Sequence, residues 1–139
     1  MKVRSWLIAA ASLACMGAPA AAFGYNEHAE FNIGNFTTGA IDFDVHGEVR
    51  RTVYPNKHDV HSSYHSGDNG RGYHVWLYQG AKWCRRSVLI QNLGAVAGVI
   101  QMRCVDNGNE AHGIFCSLGE ILEYPSERKC MFPIHASQP

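Results

Sequence analysis

Residues 40–46 read AIDFDVH. Ile41, Phe43 and Val45 alternate with Asp42, Asp44 and His46. Successive side chains on a strand point to opposite faces, so this run has one apolar face and one wet face. Residues 31–34, FNIG, alternate likewise. Between the two runs, Asn35-Phe36-Thr37-Thr38-Gly39 carries turn-forming residues, which predicts a hairpin. Val49 to Tyr54 continues the extended pattern and stops at Pro55-Asn56.

Further along, residues 73–78, YHVWLY, are rich in aromatics and read as a strand ended by Gln79-Gly80. Trp83–Gln91 and Val96–Val105 are expected to be strands joined near Asn92-Leu93-Gly94. Leu89, Leu93, Val96 and Ile100 also lie at helical spacing, but Gly94 and Gly98 would each cost a helix about 1 kcal/mol. Asp106-Asn107-Gly108-Asn109 predicts a tight hairpin turn, because Asn-Gly supplies two positive φ angles. Gly113–Leu118 is then the return strand. Ile121–Tyr124 and Lys129–Ile134 are short segments on either side of Pro125-Ser126. Short strands, regular turns and no convincing amphipathic helix give an all-β fold, a small antiparallel β-sandwich or barrel.

The first residues have the grammar of a secretory signal peptide. Lys2 and Arg4 precede an uncharged apolar run from Trp6 to Ala14, and Ala20-Ala21-Ala22 offers a cleavage site. The run is shorter than the roughly 20 apolar residues of a membrane-spanning helix. Residues 1–22 are therefore expected to be removed and residues 23–139 to form a single domain. A lipoprotein leader, with Cys15 as the lipidated residue, is the rival reading. The expected compartment is periplasmic or secreted, with no membrane span in the mature chain.

Cleavage removes one of five cysteines and leaves Cys84, Cys104, Cys116 and Cys130. Four cysteines in an oxidising compartment read as two disulfides. Their separations are too wide for the close pairs of a structural zinc site. A two-residue turn at Asn107-Gly108 would set Cys116 about five residues along from Cys104, beyond bridging distance. The expected pairing is therefore Cys84–Cys104 with Cys116–Cys130.

The 139-residue chain balances 12 basic against 12 acidic residues, and loss of the leader makes the formal charge −2. No basic footprint for nucleic acid exists. All eight histidines lie beyond the leader. Three fall in residues 58–70, HDVHSSYHSGDNG, within the longest stretch without apolar alternation, and this reads as a loop. Imidazole and carboxylate are transition-metal ligands, so His58, His61, His65 and Asp68 are candidate ligands for zinc or copper. On a strand, His61 and His65 would stand about 13 Å apart, so such a site needs a curled loop.

Two further readings compete. Imidazoles and carboxylates could serve a small secreted hydrolase as acid and base, but no nucleophile elbow and no H-E-x-x-H is present. The other is a binding surface. In the 73–78 strand, Tyr73, Val75 and Leu77 share one face while His74, Trp76 and Tyr78 share the other. With the first face in the core, the second displays an imidazole, an indole and a phenol in a row, with Tyr64 nearby in sequence. Such rows suit contact with protein or glycan. The leading expectation is an exported, disulfide-bonded binding protein with no cofactor, whose partner is a protein, a glycan or an envelope component. A histidine-rich zinc or copper protein and a small hydrolase are the alternatives. Asn35-Phe36-Thr37 matches a glycosylation acceptor.

Overall fold

The computed structural model describes residues 26–66 and 70–139. The expected leader and Asp68 lie outside the described residues. The fold is all-β as expected, and the described residues form ten strands: β1 Asn26–Asn35, β2 Ile41–Val45, β3 Val49–Val53, β4 His58–Ser66, β5 Arg71–Gln79, β6 Lys82–Val96, β7 Val99–His112, β8 Phe115–Leu118, β9 Leu122–Tyr124 and β10 Lys129–Ser137. One 3-10 turn, Pro125–Glu127, separates β9 from β10. Among the described residues, no helix is long and apolar enough to cross a membrane.

The strands form two five-stranded sheets. The first runs β4-β1-β10-β8, with β9 also paired to β10. The second runs β3-β2-β5-β6-β7. Their inner faces share one core. Phe31 of β1 packs on Phe132 of β10 with ring centroids 5.6 Å apart, and on Tyr73 of the opposite sheet at 5.3 Å. The alternation of β2 places Ile41, Phe43 and Val45 in this core, and that of β5 places Tyr73, Val75 and Leu77 there. One pairing departs from the antiparallel expectation: β1 and β10 are parallel, with Phe31 opposite Phe132 and Ile33 opposite Ile134.

Several local expectations are corrected. Residues 31–34 and 40–46 do not form a hairpin, because Asn35–Gly39 carries the chain from one sheet to the other. Asn35 is fully buried and holds that crossing. Its Nδ2 donates to the Gly39 and Val53 carbonyls, each at 2.8 Å. Its Oδ1 accepts from the Thr37 amide and hydroxyl at 2.9 and 2.7 Å. All the amide's capacity is used inside the fold, so the sequon matches a sequence pattern and not an exposed acceptor.

Asn107-Gly108 is likewise not a hairpin turn. β7 runs straight through it. Arg86 pairs with Asn109 and Val88 with Asp106, so β7 carries one extra residue there, a β-bulge. Gly108 does adopt positive φ, at 119°, but a bulge uses that freedom as well as a turn does. The hairpin between β6 and β7 turns at Ala97-Gly98, both at positive φ, and not at 92–94. Past Gly113, β8 returns along β10 of the other sheet.

These registers also correct the disulfides. The bonds are Cys84–Cys116 and Cys104–Cys130, with Cα separations of 5.6 and 5.7 Å. Cys84 lies opposite Ala111 in the β6–β7 ladder, so Cys104 sits seven residues further down β7, about 23 Å away. Within one sheet the expected partners are out of reach. Each cysteine of the second sheet instead faces inward and meets one from the first. Both bonds therefore tie sheet to sheet along one side of the sandwich.

The histidine-rich stretch is a strand rather than a loop. β4 pairs antiparallel with β1 along its whole length, from His58 opposite Gly34 to Ser66 opposite Asn26. Its sequence hides the period because both of its faces are largely polar. As an edge strand it needs no apolar stripe, and charges on an edge deter pairing with other chains. Its inward-facing polar groups clasp the β3 side of the other sheet. Arg51 Nε lies 2.8 Å from Asp59 Oδ2, and its Nη2 donates to the Val60 carbonyl at 2.8 Å. Glu48 accepts from Ser63 Oγ at 2.9 Å and lies 3.2 Å from His61 Nε2.

Candidate functional site

The outward face of the second sheet is built by the same alternation that buries Tyr73, Val75 and Leu77. His74, Trp76 and Tyr78 of β5 point away from the core, as expected. Across the register, Tyr78 lies opposite Trp83, Trp76 opposite Arg85 and His74 opposite Ser87. On the other flank Asp42 pairs with Tyr78 and Asp44 with Trp76, and beyond them Asp44 pairs with Arg50 of β3. Arg85 lies opposite Glu110 of β7. Cross-strand neighbours on one face are close enough to interact as pairs, so these residues form one continuous surface.

Its centre is aromatic. The Trp76 and Tyr78 rings are nearly parallel, 5° between planes and 6.2 Å between centroids. Trp83 tilts against Trp76 at 5.2 Å. His112 stacks on Trp83 at 4.0 Å. Guanidinium groups cover two of the rings, Arg50 over Tyr78 at 4.7 Å and Arg85 over Trp76 at 5.2 Å, contacts worth about 0.5–1 kcal/mol each at exposed positions. Trp76, Tyr78 and Trp83 are half-buried, while His74 and His112 are exposed.

Comparison with known proteins returns no matching family model, no matching curated protein and no matching solved structure.

The charges on this face neutralise one another locally. Glu110 lies 3.1 Å from Arg85 and 3.0 Å from His112. The hydrogen bond from His112, helped by Arg85, holds Glu110 below the usual carboxylate range. His74 shares a 2.7 Å hydrogen bond with Ser87. Partial burial, then the Arg85 charge and the neighbouring His46, keep the His74 pKa below its ordinary value, so this imidazole is neutral near pH 7.

The structure does not bring the remaining sequence-derived candidates together. Tyr64 lies on the outward face of the first sheet, stacked on His28 at 4.3 Å. It belongs to the opposite side of the sandwich from Trp76. His58 also faces outward on β4. His61 and His65 face inward, one beside Glu48 and the other with Nδ1 3.2 Å from Arg71 Nη1. Among the described residues no group of three or more histidines, cysteines, aspartates and glutamates is placed to hold a metal ion.

Two imidazole–carboxylate pairs do exist, His61–Glu48 and His112–Glu110. In the first, Ser63 donates to the carboxylate itself at 2.9 Å, whereas in a serine triad the imidazole lies between hydroxyl and acid. The sequence sets His74, Trp76 and Tyr78 on one face of a strand and offers His112 and Glu110 as acid–base groups, but it does not show that Arg50, Arg85, Glu110 and His112 join that face. The missing signal is register. Each stands at an alternating position, but only strand pairing shows that these positions are neighbours.

Proposed function

We propose that the protein is an exported, non-catalytic binding module whose working surface is the outward face of the second sheet, and that its ligand is an extended, uncharged glycan. One observation carries the reading: the row Tyr78–Trp76–Trp83–His112, running across three strands at centroid steps of 6.2, 5.2 and 4.0 Å. Aromatic rings offer apolar π surface to the C–H faces of sugar rings. Around them, His74, Arg85, Glu110 and Asp42 provide both donors and acceptors for hydroxyl groups. The paired charges leave no strong field of either sign, which disfavours a highly charged ligand. An open face crossing several strands suits a chain more than a small molecule, whose sites are enclosed. The two disulfides suit an oxidising compartment. A protein partner is the second reading, because Trp, Tyr and Arg also anchor protein interfaces.

The test uses an accident of composition. The chain has three tryptophans, and one of them, Trp6, lies in the expected leader. In the mature protein, fluorescence from Trp76 and Trp83 thus reports this surface alone. Titration with soluble polysaccharides of different backbones is expected to shift that emission for at least one. Trp76→Ala should weaken the response tenfold or more with an unchanged circular dichroism spectrum. No response to any glycan, with capture of a defined protein partner abolished by Trp76→Ala, selects the second reading. Binding that is indifferent to Trp76→Ala removes the surface from consideration.

A further inference from the structure

The outward face of the first sheet carries a different kind of site. Three strands meet there in one register row: His58 of β4, Gly34 of β1 and His135 of β10. Because residue 34 has no side chain, the two imidazoles lean into the space above it from either side. A Cβ on residue 34 would lie 2.5 Å from His135 Nδ1 and 2.9 Å from His58 Nε2. The two nitrogens are thus no further apart than the sum of those distances. Phe36 closes one side of the space, with its ring 4.8 Å from that of His135 and 5.8 Å from that of His58.

His135 Nδ1 is buried and has no hydrogen-bond partner among the described residues. A buried polar nitrogen left this way is destabilising, so its retention calls for a partner. Among the described residues no protein group fills that role, yet a second imidazole nitrogen approaches the same point. Two imidazole nitrogens approaching one space kept open by glycine are an arrangement that a metal ion uses when both present lone pairs.

We infer that His58 and His135 form a two-imidazole site for a divalent transition metal of the zinc–copper class, with solvent supplying the remaining ligands. Metal–imidazole bonds of about 2.0–2.1 Å place two nitrogens on one ion at roughly 3–4 Å from each other. His58 is exposed at the sheet edge, and the site requires its ring to turn until the two nitrogens reach that separation. Imidazole suits zinc and copper better than magnesium or calcium, which prefer oxygen. The solvent-facing side of the site leaves coordination positions for water. This pair is not the set that residues 58–70 suggest, because His61 and His65 point to the inner side of β4. It also stands independently of the glycan reading, which uses the other sheet.

The experiment takes the untagged protein, strips it with a chelator and titrates it with Zn²⁺ and Cu²⁺ by calorimetry. Electron paramagnetic resonance of the Cu²⁺ form counts coordinated nitrogens. One equivalent of metal and coupling to two imidazole nitrogens are expected. His58→Gln and His135→Gln should each weaken binding at least tenfold, while the pair His61→Gln and His65→Gln leaves it unchanged. No stoichiometric binding at micromolar metal overturns the inference. So does binding that survives His58→Gln or is lost in the His61→Gln and His65→Gln protein. Should His135→Gln fail to fold, His58→Gln on the exposed edge decides alone.

Discussion

Consider the protein with Cys104 and Cys130 both replaced by alanine. The bond between them spans 26 residues of chain and the other spans 32. In the chain-entropy account, a cross-link restricts the unfolded ensemble by an amount that grows with the logarithm of the enclosed loop. These lengths give about 3.5 kcal/mol for Cys104–Cys130 and about 3.7 kcal/mol for Cys84–Cys116. A domain this small is stabilised by only about 5–15 kcal/mol in total, so either loss is severe without being fatal. The expected fall in melting temperature is roughly 10–20 °C. Because both bonds tie the same two sheets over similar loops, removing Cys84–Cys116 instead should cost nearly the same. Urea denaturation of the two variants gives the free energies, and peptide mapping without reductant gives the pairing. Linked peptides joining Cys84 to Cys104 would refute the register argument outright. A loss below about 1 kcal/mol in either variant would refute the idea that the bonds constrain the unfolded chain.

Three more outcomes are expected. Burial lowers the His28 pKa, aided by Lys129, and lowers that of His74, aided by Arg85 and His46. At these two imidazoles the unfolded chain takes up protons at about pH 6.5 and the folded protein only at lower pH, so stability linked to them is full above that pH and declines below it. Thermal melts should be flat from pH 8 to 7 and fall below 6.5, less so in His28→Gln and His74→Gln; a melting temperature constant down to pH 5 contradicts this. Glu48→Gln removes the charged acceptor shared by His61 and Ser63, with Arg71 3.6 Å away; it should cost roughly 1–2 kcal/mol, and an unchanged urea midpoint means that the clasp between the sheets contributes nothing. Gly34→Ala puts a methyl where the two imidazoles lean in and should cost about 1 kcal/mol or somewhat more, with stability equal to wild type showing that the space is not constrained.

Much of the fold is legible residue by residue. In β2 and β5 one face is apolar and the other polar, so period two survives in the sequence and fixes both element and facing. β4 is illegible for the opposite reason: Asp59, His61 and Ser63 face inward and are polar, because they grip the other sheet at its edge. Asn107-Gly108 misleads because positive φ at glycine serves a bulge and a turn equally. That one ambiguity changes the register of β7, and the register decides which cysteines can meet. The aromatic row is half legible. Trp76 and Tyr78 sit on one strand, but Trp83 and His112 join them only through pairing. The His58–Gly34–His135 row could not be read at all, since it joins residues from three distant parts of the chain.

The parallel pairing of β1 with β10 has a consequence for the order of events during synthesis. Of the ten described strands β10 comes last in chain order, yet it lies between β1 and β8 and carries Phe132 and Ile134 into the centre. Until it emerges, β1 has a bare flank and Cys104 has no mate. A chain emerging amino-end first therefore cannot seal the first sheet until β10 arrives, and closure of the core waits on that arrival.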